Sequence, residues 1–171
     1  PWRSGGGALT TSPLPDAQAA YEGTITMTAA MQAGANLIPH TLGWLEGGLA
    51  VGFEKMAVDL EIVRTLRAAM SPLVVDEESL AFDAHVEVGH SGHFLGAAHT
   101  MTRFRDCFYR PLLSTTDNLE RWTRNGAQDA ATRATAVVES WLAAYEQPPM
   151  DDALAAELDE YVDRRRRELG D

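Results

Sequence analysis

A single cysteine, Cys107, stands in the 171 residues. One thiol closes no internal disulfide, and a reducing, cytoplasmic location is expected. Long apolar runs are missing as well. No stretch approaches the roughly 20 residues that a membrane-spanning helix needs. The opening residues, PWRSGGGALTTSPLP, carry neither the apolar block of a signal peptide nor a starting Met. The expectation is a processed chain or a piece of a longer one. Positive charge is scarce too: 14 Lys and Arg stand against 25 Asp and Glu, a net charge of -11. Phosphate contacts need clustered cations, so a nucleic-acid partner is not expected. The one basic run, Arg164–Arg167, falls at a helix end, where cations complement the macrodipole.

What is present is the composition of a soluble globular protein, 45% hydrophobic and 23% charged. The length suits one core of ordinary size, with no internal repeat. After the glycines Gly5–Gly7, Ser12 or Asp16 caps a helix expected to run to about Gly34. The run ANLIPH reads as a brief buried strand, and TLGWLEGGLAVG as a turn with about one helical turn. Phe53, Met56, Ala57, Leu60, Val63, Leu66 and Met70 recur at helical spacing until Ser71-Pro72. DEESLAFDAHVEV reads as a further helix, and AAHTMTRFRDCFY as helical up to Pro111. Thr116-Asp117 with Glu120 starts a short helix that Asn125-Gly126 stops. Ala127, Ala131, Ala134, Val138, Trp141, Leu142 and Tyr145 form the clearest stripe. A last helix runs from about Met150 to Leu169, acids first and arginines last. The count is about six helices and one or two short strands, mainly α. Such a chain suits a closed helical bundle or the end of a larger α/β protein. Glycine- and histidine-rich loops between good helices favour the second, because loops on a rigid scaffold carry sites.

The chemistry lies in those loops. His90, His93 and His99 cluster, but no second cysteine and no HExxH helix accompany them, so a zinc site is not expected. Cys107, with Arg105 and Arg110 as neighbours, is a candidate nucleophile. The favoured reading is nevertheless a small hydrophobe on the buried face of a helix. What remains is a pocket wall. Glycines let backbone approach a ligand, and His, Asn, Glu and aromatic rings orient it. GANLIPHTLGWLEGG supplies Asn36, His40, Trp44 and Glu46, and rings with carboxylates suit a quaternary ammonium ligand.

The stretch GHFLGAAHTMTRFR, followed by FYRPLLS, resembles the C-terminal signature of the trimethylamine methyltransferase family. SPLPDAQAAYEG and AGANLIPHTLGWLEGGLAVGFEKMAVDLEI are similar to two further family segments, and YEQPPMDDALAAELDEYV to its close. The resemblance covers nearly the whole chain in the same order. It implies that residues 1–171 are a single domain, the C-terminal part of a longer TIM-type (α/β)8 barrel. It implies methyl transfer from a methylated amine to the cobalt of a corrinoid carried by a separate small protein, with no cofactor held by this chain. Pyrrolysine, which the trimethylamine enzymes use, is absent from the first loop, where Thr10, Thr11, Ser12 and Pro13 stand. A quaternary amine is therefore the expected substrate, in the manner of the glycine betaine relatives. Tyr21, Glu22, Asn36, His40, Trp44 and Glu46 are the expected substrate residues. Asp16, Gln18, His93 and His99 are expected to face the pocket or the corrinoid. A homo-oligomer is expected, and no role in proton transfer is assigned. The rival from another class is a non-catalytic helical module for oligomerisation or partner binding.

Overall fold

The computed structural model describes residues 1–170. Among them are eight α-helices and one two-stranded sheet, so the chain is mainly helical. It divides into two compact units, Pro1–Glu139 and a second that starts at Ser140.

The first unit opens with a short parallel pairing. Arg3 bridges Leu37. The Ser4 amide donates to the Leu37 carbonyl at 3.1 Å, and the Asn36 amide to the Trp2 carbonyl at 3.0 Å. Between these segments lies α1, Ala17–Gln32. Parallel neighbours require such a crossover, so residues 2–37 form a βαβ unit with minimal strands. Asp16 caps α1 as expected, accepting the Ala19 amide at 3.0 Å. Gly23, which weakens helix propensity, has a packing reason: a Cβ there would sit 3.2 Å from the Ala8 Cβ. Gly7 is as constrained, since its Cβ would lie 2.9 Å from the Thr41 Cα.

The buried strand expected at ANLIPH shrinks to the single bridge at Leu37, itself 60% exposed. Pro39 lacks an amide, and His40 turns into the left-handed region at φ 52°, which ends the extended run. Next, β1, Trp44–Leu45, pairs antiparallel with β2, Ala50–Val51, around a 3-10 turn at Glu46–Gly48. The helical turn was expected there and the hairpin was not. Gly47 and Gly48, at φ 65° and 98°, allow the chain to reverse.

Helix α2, Phe53–Ala69, forms where its spacing predicts. Of its expected stripe only Ala57 is fully buried, and Phe53 is exposed. Ala57 joins Leu113, Ala134 and Val138 in a small core, against which Val58, Leu112 and Val137 pack. Glu61 of α2 secures the same region by accepting the Leu112 and Leu113 amides at 2.5 and 3.0 Å.

Four of the expected helices differ in the structure. The single helix over DEESLAFDAHVEV is two, α3, Glu77–Leu80, and α4, Phe82–Val88, because Ala81 between them adopts φ 52°. The helix expected up to Pro111 is only α5, Ala98–Arg103. The Arg103 carbonyl takes the amides of both Asp106 and Cys107, closing a turn. Helix α6, Leu119–Arg124, starts on an Asn118 cap rather than at Thr116-Asp117. Helix α7, Ala130–Ala143, begins later than its stripe, since Ala127 sits at φ 51° and Asp129 accepts the Thr132 amide.

In the second unit, α8, Asp152–Leu169, is capped by Asp151 and stopped by Gly170 at φ 83°. Leu154, Leu158, Tyr161 and Val162 form an exposed stripe on it. Among the described residues no helix is long and apolar enough to cross a membrane.

Candidate functional site

Two loops leave the parallel pair in the same direction. The first, residues 5–16, follows the Trp2–Ser4 segment and leads into α1. The second, residues 38–52, follows Leu37 and leads into α2. Parallel neighbours with helical crossovers gather such loops at one end of the sheet, and that end carries ligand sites in α/β folds.

Glu22 organises the first loop. One carboxylate oxygen accepts the Thr10 hydroxyl at 2.6 Å and the Thr11 amide at 2.9 Å, and the other accepts the Gln18 amide group at 2.9 Å. The Thr10 hydroxyl, then the Thr11 amide, hold its pKa below the usual carboxylate value. Glu22 is thus engaged by its own loop, and Gln18 completes the bond set by also donating to the Thr11 hydroxyl at 3.0 Å. Thr10 and Ser12, both buried, pass the order to the second loop. The Glu46 amide donates to the Ser12 carbonyl at 3.0 Å, and the Gly47 amide to the Thr10 carbonyl at 2.8 Å.

The second loop holds two non-glycine residues in the left-handed region, His40 at φ 52° and Glu46 at φ 50°. Such conformations persist where the surroundings over-determine them, and they gather at functional sites. The His40 ring meets Trp44 edge to face, centroids 5.0 Å apart at 89°. Glu46 is exposed.

The other expected residues are placed as follows. Asp16 is committed to capping α1, and the Ala19 amide is the main cause of its lowered pKa. Tyr21 stands exposed on α1. Asn36 accepts the Trp2 amide at 3.0 Å and so braces the parallel pair. His93 is exposed ahead of a 3-10 turn at Phe94–Gly96. His99 places Nε2 3.0 Å from the Glu78 carbonyl. The structure therefore joins Gln18, Glu22 and the Glu46 backbone through residues 10–12, and His40 with Trp44. The contacts of His99 lie in the segment 78–103.

Sequence reasoning missed the most buried charges. Lys55, the chain's only lysine, and Asp59 are both 0% exposed and form an ion pair one turn apart on α2. Lys55 Nζ also donates to the Ala8 carbonyl at 2.8 Å, and the second Asp59 oxygen accepts the Gly43 amide at 2.8 Å. The available signal was a lone lysine four residues before an aspartate within an apolar helix.

Burial raises the Asp59 pKa from its ordinary 3.8 to about 6, against the bonds from Lys55 and Gly43 that lower it. The folded chain therefore keeps a proton between these values that the unfolded chain has lost. The stabilisation from this proton is complete below pH 3.8 and is lost as pH rises through about 6. Denaturant unfolding of wild type and Asp59→Asn at pH 4.5 and pH 7 checks it. Relative to the variant, wild type should lose on the order of 2 kcal/mol as pH rises between the two.

Cys107 also corrects an expectation. It is exposed, in the turn after α5 rather than on a buried helix face. It borders a cavity of about 530 Å³ with Glu78, Thr102, Arg103 and Asp106. A disulfide reagent should titrate one thiol of this segment in the native protein within minutes; a thiol that reacts only in denaturant would contradict this placement. Among the described residues, no group of three or more His, Cys, Asp or Glu is placed to hold a metal ion.

Comparison with known proteins adds a family. The family model described as trimethylamine methyltransferase (MTTB) matches residues 1–170. A glycine betaine methyltransferase of Desulfitobacterium hafniense (strain Y51) is 37% identical over 171 residues, 100% of this chain and 35% of the relative. Trimethylamine methyltransferase MttB of Desulfitobacterium hafniense (strain DSM 10664 / DCB-2) is 34% identical over 169 residues, 99% of this chain and 33% of the relative. Trimethylamine methyltransferase MttB2 of Methanosarcina mazei is 29% identical over 161 residues, 94% of this chain and 32% of the relative. The chain thus spans about a third of the length of these relatives.

Proposed function

The chain belongs to the trimethylamine methyltransferase family, and from that premise we propose that it is the C-terminal portion of an (α/β)8-barrel enzyme that demethylates a quaternary amine. The carrying observation is the parallel pairing of Arg3 with Leu37 across α1, with both candidate loops leaving its C-terminal ends. A barrel places its chemistry there. The pair would be two neighbouring strands of the wall, with α1 and α2 as outer helices.

In the proposed reaction a methyl carbon leaves nitrogen for the cobalt of a corrinoid on a partner protein. The new bond takes its electron pair from cobalt(I), and the broken C–N pair stays on nitrogen. A quaternary ammonium departs as a neutral tertiary amine, so no proton need be supplied. The chain's task is to hold the cation with one methyl aimed outward. Trp44 supplies a ring, buttressed by His40, and Glu46 supplies an exposed carboxylate on the same hairpin. Glu22, Gln18 and Asp16 act behind them by fixing the first loop and α1. Tyr21 and Asn36 are assigned to the substrate side, and His93 and His99 to the corrinoid side. The 37% identity to a glycine betaine methyltransferase supports the choice of substrate class. A cytoplasmic homo-oligomer is the proposed setting.

Trp44→Ala in the full-length protein tests the cation site. Loss of one ring contact worth about 0.5–2 kcal/mol should raise KM for a quaternary amine roughly 2- to 30-fold, with kcat less changed. An unchanged KM would remove Trp44 from the site.

A further inference from the structure

The largest fully buried side chain of the described residues is a charged one, Lys55. Its position explains why α2 keeps an ion pair where a helix ordinarily buries apolar groups. Ala8 lies in the first loop and Gly43 in the second, and both are buried. The Ala8 carbonyl needs a donor and the Gly43 amide needs an acceptor, since a buried backbone group without a partner is costly. Lys55 and Asp59, on one face of α2, meet these two needs and neutralise each other. No apolar pair can do this.

We propose that Lys55 and Asp59 are positioning residues, a clamp on α2 that sets the spacing of the two loops at the candidate site. The inference rests on the site lying between these loops, as proposed above. From the clamp, order spreads along each loop. Residues 10–12 follow two positions after Ala8, and the Glu46–Gly47 turn follows three positions after Gly43. The two segments then bond to each other through the Glu46 and Gly47 amides. Gly43, at φ 87°, adopts the conformation that presents its amide to Asp59. A Cβ on Gly43 would lie 3.1 Å from Val51 Cγ1 and 3.3 Å from the Gly52 carbonyl oxygen, at a φ of 87° that side chains rarely adopt, so a side chain there would be strained. Glu61, two residues further along the same helix, binds a different segment at Leu112 and Leu113, which makes it the matched control.

The experiment uses the full-length protein and two readouts that need no substrate. In wild type, amine labelling of Lys55 and hydrogen exchange of the peptide holding Glu46 and Gly47 are followed through rising denaturant. Both should increase together, ahead of exchange in α1. In Asp59→Asn, exchange of that peptide should be at least tenfold faster, with α1 unchanged, whereas Glu61→Gln should leave it at the wild-type rate. Methyl transfer then gives the kinetic split: Asp59→Asn should raise KM more than it lowers kcat, because the loops that hold the cation have lost their spacing. Lys55 that becomes reactive while the Glu46 and Gly47 amides stay protected would overturn the clamp. So would an Asp59→Asn protein with wild-type exchange. If wild type transfers no methyl group while the exchange results hold, the clamp stands and the functional reading falls.

Discussion

Lys55→Met should lower the unfolding free energy by about 3–5 kcal/mol at pH 7, the loss typical when one partner of a buried ion pair is removed. Asp59 would lose its counter-ion and be driven to take up a proton, since Lys55 is what holds its buried carboxyl down, and the Ala8 carbonyl would lose its donor. A whole domain is stable by only about 5–15 kcal/mol, so a large share of the folded population is at stake. Removing the second partner as well should not restore wild-type stability. Lys55→Met with Asp59→Leu removes the unpaired carboxyl group but orphans both the Ala8 carbonyl and the Gly43 amide. Each orphan costs about 1–3 kcal/mol, so the double variant should stay about 2–6 kcal/mol below wild type. Guanidinium unfolding of the three proteins measures the series. A Lys55→Met protein within about 1 kcal/mol of wild type would show that the pair is not buried as described.

The same residues show what the sequence made legible and what it did not. Helices α1, α2 and α8 were readable because their signals are local: Asp16 and Asp151 cap them, and Gly170 and the 71–72 Ser-Pro stop them or follow them. The break at Ala81 had no such signal, since alanine ordinarily favours a helix and its left-handed turn is imposed by context. The end of α5 was missed for a related reason. The turn that closes on the Arg103 carbonyl involves residues whose spacing still looks helical. The pairing of Trp2–Ser4 with Leu37 is parallel and non-local, and strands this short leave no alternation to detect. In the candidate site, the glycine, aromatic and acidic residues of the hairpin stood out in the sequence as pocket candidates, and the structure sets His40 against Trp44. The commitments of Glu22 and Asp16 to their own backbone were not, because a carboxylate that caps and one that binds look alike in sequence. Lys55–Asp59 was hidden in the same way. On a helix a Lys and Asp four apart ordinarily sit in solvent.

The second large effect concerns the substrate. A full-length protein should use a quaternary amine at least tenfold better, in kcat/KM, than trimethylamine. Neutral trimethylamine would leave as an amide anion unless a proton or an electrophile is held on its nitrogen. The first loop shows Thr10, Thr11, Ser12 and Pro13, with the Thr10 and Thr11 hydroxyls and the Thr11 amide all turned to Glu22. Nothing in that bond set is an electrophile. A permanent cation needs none, and in the proposed site Trp44 and Glu46 would draw it. A tenfold preference corresponds to about 1.4 kcal/mol of transition-state discrimination, within the reach of one ring contact and one unneeded proton. Rates for glycine betaine, carnitine, choline and trimethylamine compare the cases directly, and fastest turnover of trimethylamine would reverse the assignment.

The central claim is that this fold, in its full-length protein, carries a methyl group from a quaternary nitrogen to cobalt. A single-turnover reaction tests it most directly. Full-length protein, glycine betaine and Co(I)-cobalamin are mixed under anaerobic conditions, and the cobalamin spectrum is followed while the amine product is assayed. The account predicts methylcobalamin and dimethylglycine in equal amounts, with the rate falling in the Trp44→Ala protein at low substrate. Persistent Co(I) spectra with glycine betaine and the other quaternary amines, at protein concentrations where the fold is intact, would contradict it.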